Sequence, residues 1–286
     1  MSERGRRLSF EVAAEESGCT VGDILRRRGV SRRLTVKLKR AENGITLNGA
    51  HIRTIDTVKA GDIVSLLMHD EKTLDANSTL YAEKVYEDED VVIYDKPVNM
   101  PVHPSAKHRD DTLGNLFAAE YPDLTFRPIN RLDRDTSGLC AVAKNAHAAN
   151  MLGGNINKVY YAAVCGNMTE GGIIDAPIAR ERDSIVKRVV RSDGQPAVTE
   201  YSVVRGCGKY TLLRVILHTG RTHQIRVHFS HIGFPLAGDD LYGGSVEDIS
   251  AQALHCGELS FVLGGRTIKV TSPIRQDIMS LFVTDL

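Results

Sequence analysis

The chain has 286 residues, which is about two average domains, so we expect one large domain and an additional module. It carries 36 Lys and Arg against 36 Asp and Glu, and 42% of its residues are hydrophobic; these ordinary proportions exclude a disordered or collagen-like protein. The sequence contains neither an apolar run long enough for a membrane helix nor the core of a signal peptide, so we expect a cytoplasmic protein that does not enter membranes.

Two further classes lack support in the sequence. The five cysteines are scattered and never form a CxxC pair, which argues against a disulfide framework and against a zinc knuckle. Neither a P-loop motif nor a GxGxxG motif occurs, so a phosphate-binding loop and a Rossmann fold have no support.

Charge is distributed unevenly along the chain. Residues 1–70 contain 13 Lys and Arg against 9 Asp and Glu, and residues 26–40 contain eight basic residues and no acid. Residues 71–90 contain seven acids and two lysines. This change of sign predicts an N-terminal module over residues 1–70, an acidic linker over 71–88 and a larger domain over 89–286.

The N-terminal module is predicted to combine two short helices with a small sheet. Residues 8–12 alternate like a strand, and Thr20 is a suitable cap for a helix that Gly29 would end. Ser31 is a suitable cap for a second helix, although the apolar spacing in that segment is closer to two than to 3.6. Asn-Gly turns flank a short predicted strand at residues 45–47, and a later strand is predicted at residues 64–67.

The larger domain is predicted to be rich in strands. Helices are expected after Asp111 or Thr112 and after Asn145. Because helices and strands do not alternate strictly, we predict an α+β fold with a mixed, mostly antiparallel central sheet flanked by helices and loops. The predicted strands cover residues 91–94, 138–143, 160–164, 199–204, 211–218 and 224–229.

An unusual segment lies at residues 130–139, where Asp133 and Asp135 are interleaved with Arg131 and Arg134. A carboxylate beside fixed guanidinium groups has a low pKa and stays ionised, so it can act as a nucleophile or as an electrostatic stabiliser. From composition alone, a charged surface turn with solvent-exposed ion pairs is the favoured interpretation, because structural ion pairs are commoner than catalytic ones.

A second unusual segment contains four histidines within residues 218–231. We reject a metal site there, because the segment has no HExxH motif and no interleaved acidic ligand. In the predicted strand 224–229, Gln224, Arg226 and His228 share one face, and the opposite face is apolar. Such a strand fits the wall of a polar cleft, and a half-exposed strand without function remains an alternative.

In a third segment, residues 158–166 alternate like a strand, where a tyrosine such as Tyr160 is usually a core residue. Together the three segments resemble the RluA-type RNA pseudouridine synthases, and this resemblance covers residues 89–286. Residues 1–70 more loosely resemble an S-four-type RNA-binding domain. The matching motifs are Asp95-Lys96-Pro97, His103-Pro104, Arg131-Leu132-Asp133 with Thr136-Ser137-Gly138, Lys158-x-Tyr160-x-Ala162-x-Val164-x-Gly166, the run 220–226, and Gly238-Asp239-x-x-Tyr242-Gly243.

The resemblance implies that uridine in RNA is isomerised to pseudouridine, with neither cofactor nor metal. Asp133 matches the essential aspartate, acting either as a nucleophile or through a glycal intermediate, and Arg226 matches the arginine that pairs with it. Tyr160 matches the tyrosine that packs on the target base, which must leave its stack. The resemblance also implies a set of substrate-binding residues, in which Arg131 inserts where the base was: Arg131, Asn130, Arg221, His223 and Gln224.

One position departs from the family pattern. The family's loop usually begins His-Arg-Leu-Asp, and Asn130 takes the place of the histidine. An asparagine can donate and accept hydrogen bonds but does not titrate near neutrality. Because the Arg-Leu-Asp core is intact, we expect activity to survive.

RNA is the expected partner, and the protein is expected to be a monomer. Cationic side chains on the two predicted helices of the module would contact phosphates: Arg26, Arg27, Arg32, Arg33, Lys37, Lys39 and Arg40. Large-subunit ribosomal RNA is the favoured target, and transfer RNA is the alternative. A non-catalytic RNA-binding or ribosome-assembly factor also fits, whereas a glycoside hydrolase is poorly supported in a chain without Trp.

Overall fold

The computed structural model describes residues 6–68, 74–184 and 186–283. The strands are β1 (Arg6–Glu11), β2 (Ile45–Leu47), β3 (Ala50–His51), β4 (Ile63–Met68), β5 (Glu83–Glu87), β6 (Val91–Lys96), β7 (Ser137–Ala143), β8 (Asn157–Cys165), β9 (Gly172–Asp175), β10 (Ile178–Arg180), β11 (Arg188–Val190), β12 (Val198–Gly206), β13 (Tyr210–Leu217), β14 (Leu254–Leu263) and β15 (Arg266–Thr271). The α-helices are α1 (Val21–Arg27), α2 (Arg32–Leu38), α3 (Leu113–Glu120), α4 (Ala146–Leu152), α5 (Gln224–His231) and α6 (Gln276–Ser280).

The N-terminal region forms its own antiparallel sheet in the order β1-β4-β2-β3, packed against α1 and α2. The Thr20 hydroxyl accepts a hydrogen bond from the Asp23 N–H at 3.2 Å, and Ser31 caps α2 in the same way. Gly29 has a φ of 72°, a left-handed conformation that ends α1 as the sequence predicts. Both predicted helices are therefore confirmed. In α2, the Ser31 cap and the buried side chains of Leu34 and Leu38 outweigh the poor apolar spacing of the segment.

The larger sheet runs in the order β5-β6-β7-β14-β8-β13-β12-β9, with β15 paired to β14. Among the described strands of this sheet, β7 and β14 form the parallel pair and the other pairs are antiparallel. Helix α4 packs against β7 and β14, and α5 packs against β11 and β12. The prediction of a mixed, mostly antiparallel α+β fold is therefore confirmed.

The segment predicted as an acidic linker is partly built into the larger sheet. Strand β5 pairs with β6, and Val85 and Tyr86 pack on the main core while their charged neighbours face solvent. The acidic segment therefore contains an edge strand of the sheet. Charged residues are common on edge strands, because one side of such a strand faces solvent instead of another strand. Residues 1–5 and 69–73 of the predicted module and linker lie outside the described residues, and the domain boundaries themselves stay a prediction.

The prediction of a strand over residues 224–229 is wrong, because these residues belong to helix α5. The backbone of His223 has a φ of 56°, and this left-handed residue turns the chain out of β13 into the helix. All six side chains from Gln224 to Phe229 are buried. The polar side chains among them form hydrogen bonds inside the protein. Because polar and apolar residues are both buried, the sequence of this helix lacks the apolar period of 3.6 residues that would have indicated it.

The N-terminal sheet region contacts the larger domain through helix α4. The side-chain amide of Asn150 donates to the carbonyl of Gly29 at 2.8 Å, and the ring of Phe10 meets that of His147 edge-on at 5.8 Å. Ala146 packs on the N-terminal core as well. In the part of the chain that the structure describes, no helix combines the length and the apolarity needed to cross a bilayer.

Candidate active site

A cavity of about 610 Å³ opens between the loop before β7, the middle of β8 and the start of α5. These are the three segments that the sequence analysis singled out, although they lie far apart in the chain. Predicted site residues from all three segments line this cavity, namely Asn130, Arg131, Asp133, Tyr160, Arg221, His223, Gln224 and Arg226. The fold therefore brings all of the predicted catalytic and substrate-binding residues to one cavity.

The loop that carries Asp133 is anchored at both ends by buried polar groups. Asn130 accepts a hydrogen bond from the Ala141 N–H at 2.8 Å and donates to the Leu139 carbonyl at 3.0 Å. At the other end, the fully buried Lys96 ammonium donates to three carbonyls, those of Pro97, Met100 and Arg134. Burial lowers the pKa of Lys96 to about 8. The loop is thus held in one conformation on the edge of the cavity.

Asp133 reaches the cavity while its charge is compensated. The Nη1 group of Arg226 donates to Oδ2 of Asp133 at 3.0 Å, and the side chain of Asp133 is 29% exposed. The ion pair that the family resemblance implies is therefore present. The guanidinium orients the carboxylate through a charge-assisted hydrogen bond, and the remaining exposure leaves room for a ligand to reach it.

Arg226 is itself held by a second carboxylate. Its guanidinium makes two hydrogen bonds to the fully buried Asp239, at 2.7 and 2.8 Å, and lies 5.0 Å from the ring centre of Tyr242. Burial alone would lower the pKa of Arg226, but the hydrogen-bonded Asp239 and the charge of Asp133 raise it above its ordinary value. The cation is therefore permanent and its orientation is fixed.

Tyr160 projects from β8 and is almost fully buried beside Asp133 and Cys256. Burial raises the pKa of Tyr160 well above its usual value, and the nearby thiol and carboxylate act in the same direction. The phenol therefore stays protonated. It can offer a ring face and an O–H donor to a ligand, whereas the phenolate form is strongly disfavoured.

The other predicted site residues divide into two groups. Arg131 is exposed at the mouth of the cavity, and Arg221 lies on its rim with its Nε bonded to the Pro196 carbonyl at 3.0 Å. Gln224 is buried, and its amide bonds Thr219, Arg221, Val198 and Thr199. The amides of Asn130 and Gln224 are thus bonded to other groups of the protein. These bonds do not support the implied role of the two residues as substrate contacts.

The histidines of the second segment have separate partners. His218 bonds Glu200 at 2.8 Å on the surface, and His228 is buried between Thr199 and the Ala176 carbonyl. His223 lies in the cavity beside Asp133. Among residues 6–68, 74–184 and 186–283, no group of three His, Cys, Asp or Glu side chains is placed to hold a metal ion.

A second cavity of about 370 Å³ adjoins the first. The two share Arg188, Gly220, Arg221 and Thr222, and the second cavity is bounded on its other side by the β10–β11 hairpin, including Arg180. Three arginines and one aspartate thus line this cavity, which makes it suitable for a polyanion that extends beyond the main cavity.

Comparison with known proteins decides the family. A family described as RNA pseudouridylate synthase matches residues 90–231. An RNA pseudouridine synthase of Bacillus subtilis, the uncharacterised YjbO, is 37% identical over 92% of this chain and 98% of its own length. The chain belongs to the RNA pseudouridine synthases. A ribosomal large subunit pseudouridine synthase D, from Pseudomonas aeruginosa, is 35% identical over 98% of this chain and 95% of its own length.

The fold of this RNA pseudouridine synthase is also found in a solved structure. The human RNA pseudouridylate synthase domain containing 1 is 25% identical, with a TM-score of 0.59 over 70% of this chain and 86% of that one. The protein is therefore an isomerase that acts on uridine in RNA. Sequence reasoning missed the roles of Lys96, Asp239 and Tyr242, although the motifs that contain them were recognised.

Proposed function

We propose that the protein isomerises uridine in large-subunit ribosomal RNA and that Asp133 is its catalytic carboxylate. The single observation that carries the assignment is geometric: Asp133 is partly exposed in a cavity, paired with a permanent cation and close to the buried ring of Tyr160. The proposed target rests on the relatives named ribosomal large subunit pseudouridine synthase D, of which the Pseudomonas protein matches almost this whole chain.

The reaction needs an ionised carboxylate at the sugar. The bond between N1 of uracil and C1′ of ribose breaks, a bond from C5 to C1′ forms, C5 loses its proton and N1 gains one. Asp133 assists either by attacking C1′ or by removing the C2′ proton to give a glycal, and both routes use the carboxylate that Arg226 orients. Tyr160 packs on the uracil ring while the ring turns.

The target nucleotide has to leave its stack to reach this site. Asp133 lies inside the cavity and cannot reach a base that remains in a helix, so the uridine is flipped outward. Arg131 is exposed at the mouth of the cavity, where its guanidinium can stack in the gap left behind. The cost of unstacking, a few kcal/mol, is then partly offset by these contacts.

Two surfaces support a polynucleotide substrate over a free nucleoside. The arginine-lined second cavity suits the phosphates that flank the target uridine. The seven cations proposed for RNA contact on and after α1 and α2 are all exposed. We also propose that the protein is cytoplasmic and that it acts as a monomer. Light scattering of the purified protein tests the monomeric state.

The decisive experiment compares pseudouridine maps of total RNA from cells with and without the protein, rescued by wild type, Asp133→Asn or Asp135→Asn. Asp135 pairs with Arg134 on the surface, so it is a matched control two residues away. We expect one or more large-subunit positions to disappear, Asp135→Asn to restore them, and Asp133→Asn to turn over RNA about 10³-fold more slowly while binding it normally.

Three outcomes would contradict parts of this proposal. Full modification by Asp133→Asn would remove the catalytic assignment. Loss of transfer RNA positions alone would replace the target. If no modified position disappears while ribosome assembly suffers, the non-catalytic alternative gains, although the intact set of Asp133, Tyr160 and Arg226 in one cavity argues against it.

A further inference from the structure

His223 has an unusual conformation and an unusual position. Its φ of 56° lies in the left-handed region, which costs free energy for a residue with a side chain. Its side chain is only 11% exposed and lies in the wall of the cavity. The contacts of the imidazole therefore show what this conformation achieves.

The two ring nitrogens face different partners. Nδ1 lies 2.8 Å from the hydroxyl oxygen of Tyr242, and Nε2 lies 3.7 Å from Oδ2 of Asp133. The Tyr242 hydroxyl also accepts a hydrogen bond from the backbone N–H of Arg188 at 3.0 Å. A line of polar groups thus runs from the backbone of β11 through Tyr242 and His223 to the catalytic carboxylate.

These contacts determine which nitrogen carries the hydrogen. Burial lowers the pKa of His223, so the ring is neutral near pH 7 and has a single N–H. The Tyr242 oxygen already accepts from Arg188, and among the described residues Nδ1 is the acceptor within reach of its own hydrogen. All three groups are satisfied when the hydroxyl donates to Nδ1 and the ring hydrogen lies on Nε2, facing Asp133.

We propose that Tyr242 fixes His223 in its Nε2–H tautomer and that His223 is a positioning residue for Asp133. This inference rests on the proposed role of Asp133. Arg226 and His223 both face Oδ2 of Asp133. Oδ1 is therefore the oxygen that is left to face the substrate. The opposite tautomer would point a lone pair at the carboxylate and push it out of this orientation.

The distance of 3.7 Å is longer than a hydrogen bond, so the contact is poised rather than made. A small relative shift of the imidazole and the carboxylate when RNA binds would close it. The interaction then strengthens in the reacting complex and affects kcat more than KM. A residue that only supports the fold would not produce this division.

A double-mutant cycle with Tyr242→Phe and His223→Gln separates this role from a structural one. Tyr242→Phe removes the hydroxyl but keeps the ring beside Arg226, so that contact is preserved. Gln offers an N–H close to the position of Nε2 and does not need Tyr242 to choose a tautomer. His223→Ala removes the donor and serves as the reference for its loss.

We expect Tyr242→Phe alone to lower kcat about tenfold with KM little changed, and to have less than about a twofold effect in the His223→Gln background. His223→Ala should fall about tenfold or more, and His223→Gln should recover most of this loss. Equal losses from Tyr242→Phe in both backgrounds would overturn the proposal.

A second measurement is independent of catalysis. Nitrogen NMR of the full-length protein with isotope-labelled histidine distinguishes the two tautomers, and we expect the hydrogen of His223 on Nε2. A hydrogen on Nδ1 in the wild type would also overturn the proposal. If Asp133→Asn proves fully active, the proposed function fails whatever the tautomer; if that variant is inactive and the cycle is additive, only this inference fails.

Discussion

The active-site cavity and the N-terminal module use positive charge in opposite ways. In the cavity, the side chain of Arg226 is 9% exposed and is shared by two carboxylates. Behind the loop that carries Asp133, Lys96 is buried among three carbonyls. In the module, Arg26 is 80% exposed, and Arg32 and Arg33 are exposed as well. In the cavity, the cations are held in individual pairs of defined geometry, whereas we propose that the exposed cations of the module bind RNA through their number.

The largest effect is expected from Arg226→Met. This variant leaves Asp239 as a buried charge without its partner, so we expect a loss of about 3–5 kcal/mol in the free energy of unfolding. It also removes the cation beside Asp133, so turnover should fall about 10²-fold or more. Chemical denaturation and single-turnover kinetics on an RNA substrate measure the two effects.

The double variant Arg226→Met with Asp239→Asn separates stability from catalysis. Removing both charges should restore much of the lost stability, because no buried charge is left unpaired. Turnover should stay low, because Asp133 still lacks its guanidinium. If the double variant regained activity together with stability, Arg226 would be a structural residue and the contrast between the two regions would disappear.

A smaller effect is expected when several cations of the module are neutralised together. The quadruple variant Arg32→Gln, Arg33→Gln, Lys37→Gln and Arg40→Gln should weaken RNA binding at moderate salt and leave turnover at saturating RNA unchanged. Each lost phosphate contact should flatten the plot of log affinity against log salt concentration by about 0.7 to 0.9. Binding titrations at several salt concentrations measure this slope.

The matched control replaces cations that already have partners on the larger domain. Lys209 pairs with Glu247 and Asp248, and Lys269 pairs with Glu258 at 2.9 Å. The double variant Lys209→Gln with Lys269→Gln should keep the wild-type slope. An unchanged slope in the quadruple module variant would mean that its basic face is only solvated and does not bind RNA.

The contrast also explains which parts of the fold could be predicted from the sequence. Strands with alternating or continuous apolar residues and helices with a Thr or Ser cap are recognisable, so five of the nine described strands of the larger sheet and both module helices were predicted. Strands β9, β14 and β15 were not predicted. Helix α5 was not, because its polar side chains are buried and its alternation imitates a strand. Strand β5 was missed because its acidic residues resemble a linker.

The active site shows the same division. Asp133, Tyr160 and Arg226 were predicted because they lie in local motifs of a known family. The anchoring of the loop by Lys96 joins atoms 38 residues apart, and no local pattern encodes such a contact. For Asn130 and Gln224 the motif indicated the position but not the direction of the amide, which depends on backbone partners that only the fold supplies.

The smallest effect concerns an ion pair in the module that resembles those of the cavity. Arg28 belongs to the basic run, yet its guanidinium makes two hydrogen bonds of 2.7 Å to the carboxylate of Glu16, whose side chain is only 6% exposed. The hydrogen bonds from Arg28 and from the Ala13 N–H lower the pKa of Glu16 below its ordinary 4.5. The pair therefore stabilises the module above that pH and loses this contribution as pH falls through the lowered value.

Glu16→Gln should remove that pH dependence. The protection of the α1 amides against hydrogen exchange, relative to the unfolded chain at the same pH, should therefore change less between pH 6 and about pH 3 in the variant than in the wild type. Asp56→Asn is the control, because its partner Arg53 is 72% exposed and an exposed pair contributes little. An equal response in wild type and Glu16→Gln would mean that the Arg28–Glu16 pair does not stabilise the module. The basic run would then act through charge number alone, Arg28 included, and the difference between the two regions would be complete.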